Sequence, residues 1–485
     1  YKRQVVCQIM NRRKLLRSSA FAGTYSLLSP FAKAVGSNGE LRVVVIGVKG
    51  RGSNHINAVI SHKKARLVGL CDIDSDQLKR RVVEMEKRHK ITGLKTYSDY
   101  RKVCEDKNVD AVCIATTNHT HTVIALTAAA NGKDAYTEKP VSHNVWEGQK
   151  LADGQAKYGT VIQHGFQRRS ETCWAEAFAW LKEGNLGKLT LARGFCYKPR
   201  KSIGKVEAPV EAPKTVNYDL WSGPRKVLPI RRKQFHYDWH WQSPYGNGDL
   251  GNQGPHQLDV CRWALGDPME LPPAILSIGG RYGYDDDGDT ANTQILYVDQ
   301  KPAPILFEVR GLPKKGLNWK NGMPNYRGLT IGNVIEYEGG SLLGGHGASC
   351  KIVDKEGKVV KEFKGGQNHI HNFFDACLNG NQNALHNAEN GHHSAALAHI
   401  GAHALSLGKE VPAEQIKASL KGRAQVADAV DRMMAHFEAN GIGATQPGLG
   451  APLTTDGKKF TGEFGAAATK LDREHYREGY TLPNA

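Results

Sequence analysis

The stretch Gly47-Val48-Lys49-Gly50-Arg51-Gly52 has the most readily stated chemistry in the chain. It follows the apolar run Leu41 to Ile46 and leads into residues 53–60, which can continue as a helix. Glycines permit a tight turn and let backbone N–H groups approach an anion, and a helix that starts there adds the positive end of its dipole. A pyrophosphate suits such a turn. A second apolar run, Arg66 to Cys71, ends at Asp72, 25 residues beyond Gly47. At that spacing a carboxylate accepts hydrogen bonds from ribose hydroxyls. An acid there repels a 2′-phosphate, and Ile73-Asp74 brings no arginine to hold one, so NAD is favoured over NADP. Far along the chain, Asn252 and His256 stand at i and i+4, on one face of any helix that carries them. The ordinary pKa of a histidine lies near neutrality, which suits His256 to moving a proton, while Asn252 can only hydrogen-bond a hydroxyl. Asp249 and Asp259 are the nearby acids, and Asp259 either orients His256 or serves packing.

The elements that must position these residues alternate. After the first two strands come a helix pattern over Gln77–His89, a strand over Val109–Ala115 ending in Thr116-Thr117-Asn118-His119, and an alanine-rich helix over Thr122–Asn131. A strand over Asp134–Thr137 ends at Glu138-Lys139-Pro140, a helix spans Asn144–Tyr158, and a strand lies within Gly159–Gly165. Repeated βα units imply a doubly wound parallel sheet, with ligands at the carboxyl ends of its strands. Each polar cluster just named falls at such an end. Beyond it, strand-like alternation covers Ala274–Tyr282, Thr290–Val309, Val334–Leu343 and Cys350–Phe363. Helices are predicted over His369–Leu378, His392–Leu407 and Gln425–Asn440. The fold class is therefore α/β: a leader over 1–38, a Rossmann domain over 39–163, a C-terminal α+β domain over 164–410, and a helical extension and tail over 411–485.

Glu138-Lys139-Pro140 after a Rossmann domain, followed by the motif Gly248–Asp259, resembles the Gfo/Idh/MocA family of oxidoreductases, the glucose–fructose oxidoreductase and inositol dehydrogenase type. The resemblance spans roughly 41–410 and includes the glycine loop, Asp72, and Thr117-Asn118-His119 with His121. It implies that the C-terminal domain carries a large, mostly antiparallel sheet that often mediates homo-oligomerisation. It implies NAD as cofactor, lined by Gly47, Gly50, Arg51, Gly52, Asp72, Thr116, Thr117, Asn118, His121, Glu138 and Lys139. Lys139 and His256 become the catalytic pair. A lysine near cationic nicotinamide and partly desolvated has a lowered pKa and can relay the proton of an alcohol under oxidation. Family dehydrogenases usually carry an aspartate four residues before the histidine; here that position is Asn252.

Residues 217–245 are rich in side chains that suit sugars, since aromatic faces pack on the C–H faces of a sugar ring and polar tips satisfy its hydroxyls. Trp221, His236, Tyr237 and Trp239 are expected at the substrate, with Asn252, Gln167 and Arg168. The predicted activity is hydride transfer between nicotinamide and a carbon of a sugar, polyol or glycoside. The rivals are a glycoside-cleaving enzyme that uses NAD transiently and a non-catalytic sugar-binding protein.

The formal charge of +17 does not point to nucleic acid. Residues 1–34 carry seven basic residues and no acid, and the remaining +10 is spread along the chain. Asn11-Arg12-Arg13-Lys14-Leu15-Leu16 resembles a twin-arginine motif, a weakly apolar stretch follows from Ser18 to Phe31, and Ala32-Lys33-Ala34 suits a cleavage site. Export to the periplasm is expected, with translation starting at Met10 and residues 1–9 upstream of it. No apolar run approaches the ~18 residues of a membrane span. The nine cysteines include no CxxC pair, and His369, His371, His392 and His393 lack ligand spacing, so no metal is expected.

Overall fold

The computed structural model describes residues 39–381, 386–420, 422–473 and 476–483. The leader expected over 1–38 lies outside them.

Six parallel strands form the first sheet: β1 (Leu41–Ile46), β2 (Ala65–Cys71), β3 (Lys95–Tyr97), β4 (Ala111–Ile114), β5 (Asp134–Thr137) and β6 (Ile162–His164), in the order β3-β2-β1-β4-β5-β6. The order reverses between β1 and its neighbours β2 and β4, where a crevice opens at the carboxyl ends. β1 and β4 are apolar because helices cover both faces of the sheet. Helix boundaries follow local chemistry. Asp74 caps Ser75–Glu84 through Asp76 N at 3.0 Å, and Asn144 caps Val145–Tyr158 through Glu147 N at 2.8 Å. Gly159, at φ 65°, ends the latter helix. The helix predicted over 77–89 is regular only to Glu84; Met85–His89 widens into a π-turn that Lys90 closes at φ 57°.

The second sheet has twelve strands. β7 (Leu189–Tyr197) is central, parallel to the strand Ile305–Arg310 and antiparallel to the strand Ile331–Tyr337. All other pairings in the sheet are antiparallel. The helix Gly248–Ala264 packs on one face, where Leu258, Val260 and Cys261 join Phe307 and Leu296 in a buried core. On the other face the helix Ala424–Ala439 buries Val426, Val430, Met433 and Phe437 against Leu191, Ile278 and Leu306.

The expected domain limits are less clean in space than in sequence. The helix His369–Leu378 returns to the first domain, burying Phe373 and Phe374 against Val43 and Val45 of β1. The tail joins the second sheet: Gly448–Leu449 pairs with both Lys409–Glu410 and Ala274–Gly280. Two- and three-residue strands of this kind leave no periodic signal in a sequence.

Candidate functional site

Gly47 follows β1 at φ +84°, where a Cβ would lie 2.6 Å from Ala115 O; a Cβ on Gly52 would lie 1.8 Å from Gly47 O. The turn therefore closes only with glycine at both positions. Gly50, at φ +54°, meets nothing within 4 Å, so the crest of the turn is open to a ligand. Gly50 also caps the helix Arg51–Ser61, so the helix N-terminus begins at this turn. Asp72 completes the cradle: its carboxylate accepts from Val48 N at 2.9 Å and Asp74 N at 3.0 Å, which fixes it beside the turn. A cavity of about 140 Å³ opens there, lined by Gly47, Asp72, Thr116, Thr117 and Thr120. A glycine turn with an open crest, a helix N-terminus and a fixed carboxylate are the donor and acceptor set that a dinucleotide needs.

Trp221, His236 and Trp239 also line this cavity. Their composition suits these three to a sugar; the structure sets them at the Asp72 end instead. A backbone bridge between Asp74 and Val216 holds the segment, with Ser75 N donating to Thr215 O at 2.9 Å and Asn217 N to Ile73 O at 3.0 Å. His236 Nε2 meets Asp74 Oδ2 at 2.9 Å. From the tail, Arg477 Nε donates to Gly223 O at 2.6 Å, while its guanidinium pairs with Asp219. Of the expected sugar-binding aromatics, Tyr237 stays out of the cavity, exposed and set against His240 and Trp241.

Glu138 and Lys139 lie at the end of β5. Glu138 is buried, meets His55 Nε2 at 3.1 Å and faces Arg51 at 3.5 Å. Burial alone would raise its pKa, but the hydrogen bond and charge of His55, with Arg51 and Lys139, hold it below the usual carboxylate range. Lys139 reaches across to the second domain. Its Nζ donates to Asn252 Oδ1 at 2.8 Å and to Asn252 O. Burial first, then the charges of Arg51, Arg200 and Lys198, outweigh Glu138 and bring Lys139 down to about 8.

Asn252 and His256 ride on the helix Gly248–Ala264, one turn apart, as their spacing predicts. His256 is half-buried, its ring edge-on to Phe166 at 6.5 Å. Burial, then the charge of Lys139, pushes its pKa well below the ordinary value, which leaves the imidazole neutral. Arg168 lies near enough to add to that shift; it pairs with Glu171 at 3.0 Å and donates to Gly345 O. The structure thus brings Lys139, Asn252 and His256 together across the interdomain groove, with Arg168 at its margin.

Other expected residues support this site indirectly. His121 is buried with both ring nitrogens against carbonyls, Pro140 O at 2.7 Å and Thr116 O at 3.2 Å, and so braces the two loops. Asn118 donates to Asn247 Oδ1 at 3.0 Å, and Asn247 donates in turn to His143 O at 2.8 Å. Gln167 and Arg51 line a separate cavity of about 650 Å³ with Asn54, Glu171 and Asn368. Asp259 does not orient His256: it is clamped by Arg169 at 2.7 and 2.8 Å and by Ser394 at 2.7 Å, a buried packing role. His55, Asn247 and the Arg200–Asp249 pair went unread in the sequence. His55 alone had a signal there, four residues after Arg51 on a helix whose start faces Glu138.

Two family profiles match the chain: an oxidoreductase family's NAD-binding Rossmann fold over residues 41–166 and its C-terminal alpha/beta domain over 181–300, together about half of the chain. Among characterised relatives, scyllo-inositol 2-dehydrogenase (NAD(+)) of Bacillus subtilis is 32% identical over 158 residues, 32% of this chain and 44% of that protein. Levoglucosan dehydrogenase of Pseudarthrobacter phenanthrenivorans is 28% identical over 181 residues, 37% of this chain and 39% of that protein. The chain thus spans less than half the length of these relatives. Among solved structures, levoglucosan dehydrogenase with NADH superposes with a TM-score of 0.54 at 18% identity, over 75% of this chain and 96% of that one. The WlbA dehydrogenase of Bordetella pertussis, with NADH and UDP-GlcNAcA, gives 0.53 at 16%, over 75% and 95%. At these identities the structural likeness is one of fold.

Proposed function

The chain belongs to the Gfo/Idh/MocA family of oxidoreductases, and on that premise we propose that it transfers a hydride between NAD and a carbon of a sugar, polyol or glycoside. The observation that carries this reading is the lysine of one domain bonded to Asn252 of the other, one helical turn from His256. Bound NAD supplies the hydride acceptor. The turn Gly47–Gly52 would hold the pyrophosphate, Asp72 the adenosine ribose, and Thr116 and Thr117 the walls between them.

Lys139 is the group matched to the proton. With its pKa near 8, a useful fraction is neutral close to neutral pH. A neutral amine has two hydrogens, and Asn252 offers two acceptors, its carbonyl and its side-chain oxygen. The lone pair is then left for the proton of a substrate hydroxyl. Neutral His256 is a poor resting base by comparison, and serves to hydrogen-bond and orient that hydroxyl. Asn252 positions the amine without competing for its proton.

Retention of the dinucleotide is part of the reading. Trp221, Trp239 and His236 close the Asp72 cavity, and Arg477 straps the segment that carries Trp221. This supports a cofactor that stays bound and is recycled between two half-reactions, as an enzyme exported by the basic leader would need. A spectrum of the purified protein tests it: bound nicotinamide is expected to survive dialysis, and an empty, freely exchanging protein would count against it. A second reading, glycoside cleavage by transient oxidation and elimination, is favoured by Asn252, which replaces the acid usual in dehydrogenases. Sugars and glycosides incubated with the cofactor-loaded protein separate the two by mass spectrometry. Stoichiometric NADH indicates net oxidation, and free aglycone without net NADH indicates cleavage. If neither appears, and Lys139→Ala changes nothing, the chain is a sugar-binding protein instead.

A further inference from the structure

Strand β7 runs alongside the helix that carries Asn252 and His256, and its even-numbered residues face that helix. Gly194 is so close that a Cβ would lie 2.9 Å from Gln257 Cβ, and Arg200, just past the strand, pairs with Asp249. The odd-numbered residues turn away: Arg193 and Tyr197 both bond Glu308, at 3.1 and 3.0 Å, on the opposite face of the sheet. Strand and helix therefore run in opposite senses, from 194 beside 257 to 200 beside 249. Lys198, the first residue past the strand, still donates its N–H to Arg310 O at 3.1 Å, so by the period of two it lies on the helix side, level with the turn that carries Asn252, to which Lys139 bonds.

At the Lys139 end of this groove, most of the cations among the described residues have a carboxylate partner. Arg200 has Asp249, Arg168 has Glu171 and Arg51 has Glu138. Among the described residues the Lys139 amine bonds the neutral Asn252 alone. Lys198 is half-buried, and its ammonium has no ion pair or hydrogen bond among the described residues. A half-buried lysine beside other cations and without a counter-charge favours an incoming anion.

We propose that the substrate is a sugar or polyol bearing a singly charged acid group, a carboxylate or sulfate ester, which Lys198 holds while Lys139 addresses the hydroxyl to be oxidised. The electrostatics agree. Lys198 and Arg200 both depress the pKa of Lys139, so the lysines share one field, and His346 at the groove's margin feels Lys198 and Arg168 together after the effect of its own burial. Arg200, locked to Asp249 and over the Trp241 ring at 5.5 Å, has no freedom to take the anion, which leaves it to Lys198.

This inference rests on the oxidoreductase reading, and its test separates the two. Cofactor-loaded protein is given galactose, galacturonate and galactose 6-sulfate, and the matching glucose series, with NADH formation and calorimetric affinity as readouts. In the unaltered protein, kcat/KM for an acidic member should exceed that of its neutral parent by about tenfold or more, the size of one charge-assisted contact. Lys198→Met should bring the ratio near one and weaken calorimetric binding of the acid by a similar factor, while Lys198→Arg retains most of both. Equal thermal melting of the variants excludes a folding defect. Neutral sugars turned over as well as acidic ones, or a ratio untouched by Lys198→Met, would overturn the inference and leave the oxidoreductase reading standing. If the uronate wins over the sulfate ester the acid is a carboxylate, and the converse holds. A protein that oxidises and binds nothing in either series sinks both.

Discussion

The two ends of the interdomain groove are built from opposite chemistry. At the Asp72 end the second domain contributes aromatic rings, and backbone bonds hold them over the first domain. At the Lys139 end it contributes a helix face of amide and imidazole, ringed by Arg168, Lys198 and Arg200. An aromatic wall gains by excluding water and does so for any flat ring. A desolvated amine gains reactivity only if its pKa falls toward the working pH. On the proposed reading the second domain retains the cofactor at one end and serves the reaction at the other, and substitutions should separate the two.

The largest separation is expected from Lys139→Ala. Removing a proton-transfer group typically costs 10²–10⁴-fold in kcat. Bound nicotinamide, counted spectroscopically after dialysis, should be unchanged, because the Asp72 cavity is intact. Cofactor lost together with activity would mean that the two ends are not independent.

Trp239→Ala attacks the other end. Loss of an aromatic wall that also stacks on His240 at 3.8 Å should speed cofactor release by about 30-fold, the equivalent of ~2 kcal/mol. Stopped-flow displacement by an NAD analogue gives that rate. Single-turnover chemistry on freshly loaded protein should fall only a few fold. A slowed chemical step with normal release would put Trp239 at the sugar after all.

That last alternative shows what the amino-acid pattern could carry. The glycine turn, Asp72 and the alternating strands are local: each needs only a strand, a turn and a helix in succession, and the residues specify them directly. Asn252 and His256 share a helix face by spacing alone. The placement of 217–241 is different. Adenine and a sugar both accept an aromatic face, so composition cannot place Trp221 and Trp239; the bridge between Asp74 and Val216 sets them beside Asp72, and nothing near either residue announces it. Lys198 escaped notice for the same reason. It becomes distinctive only when Gly194 and Arg200 fix which side of β7 meets the helix, a relation between segments some sixty residues apart. Asp259 is open in the sequence between orienting His256 and packing; Arg169, ninety residues earlier, decides for packing by holding it.

The smallest effect is expected where the reactive end is tuned rather than removed. Asn252→Asp would restore the acid usual in the family and set a carboxylate against the Lys139 ammonium. An opposite charge favours the charged form, so the lysine pKa should rise from about 8 by roughly one unit or more. The neutral fraction at pH 7 then falls about tenfold for each unit, and the rate of oxidation with it. The loss is conditional on pH: above the new pKa both proteins hold a neutral amine, and their rates should converge. A pH profile of single-turnover kcat reads this as a displaced alkaline rise with an unchanged plateau. If the midpoint stays near 8 while the plateau drops, Asn252 serves the substrate hydroxyl rather than the amine. The proton would then have to be assigned to His256, whose strongly depressed pKa argues against it unless substrate binding reverses the field it sits in.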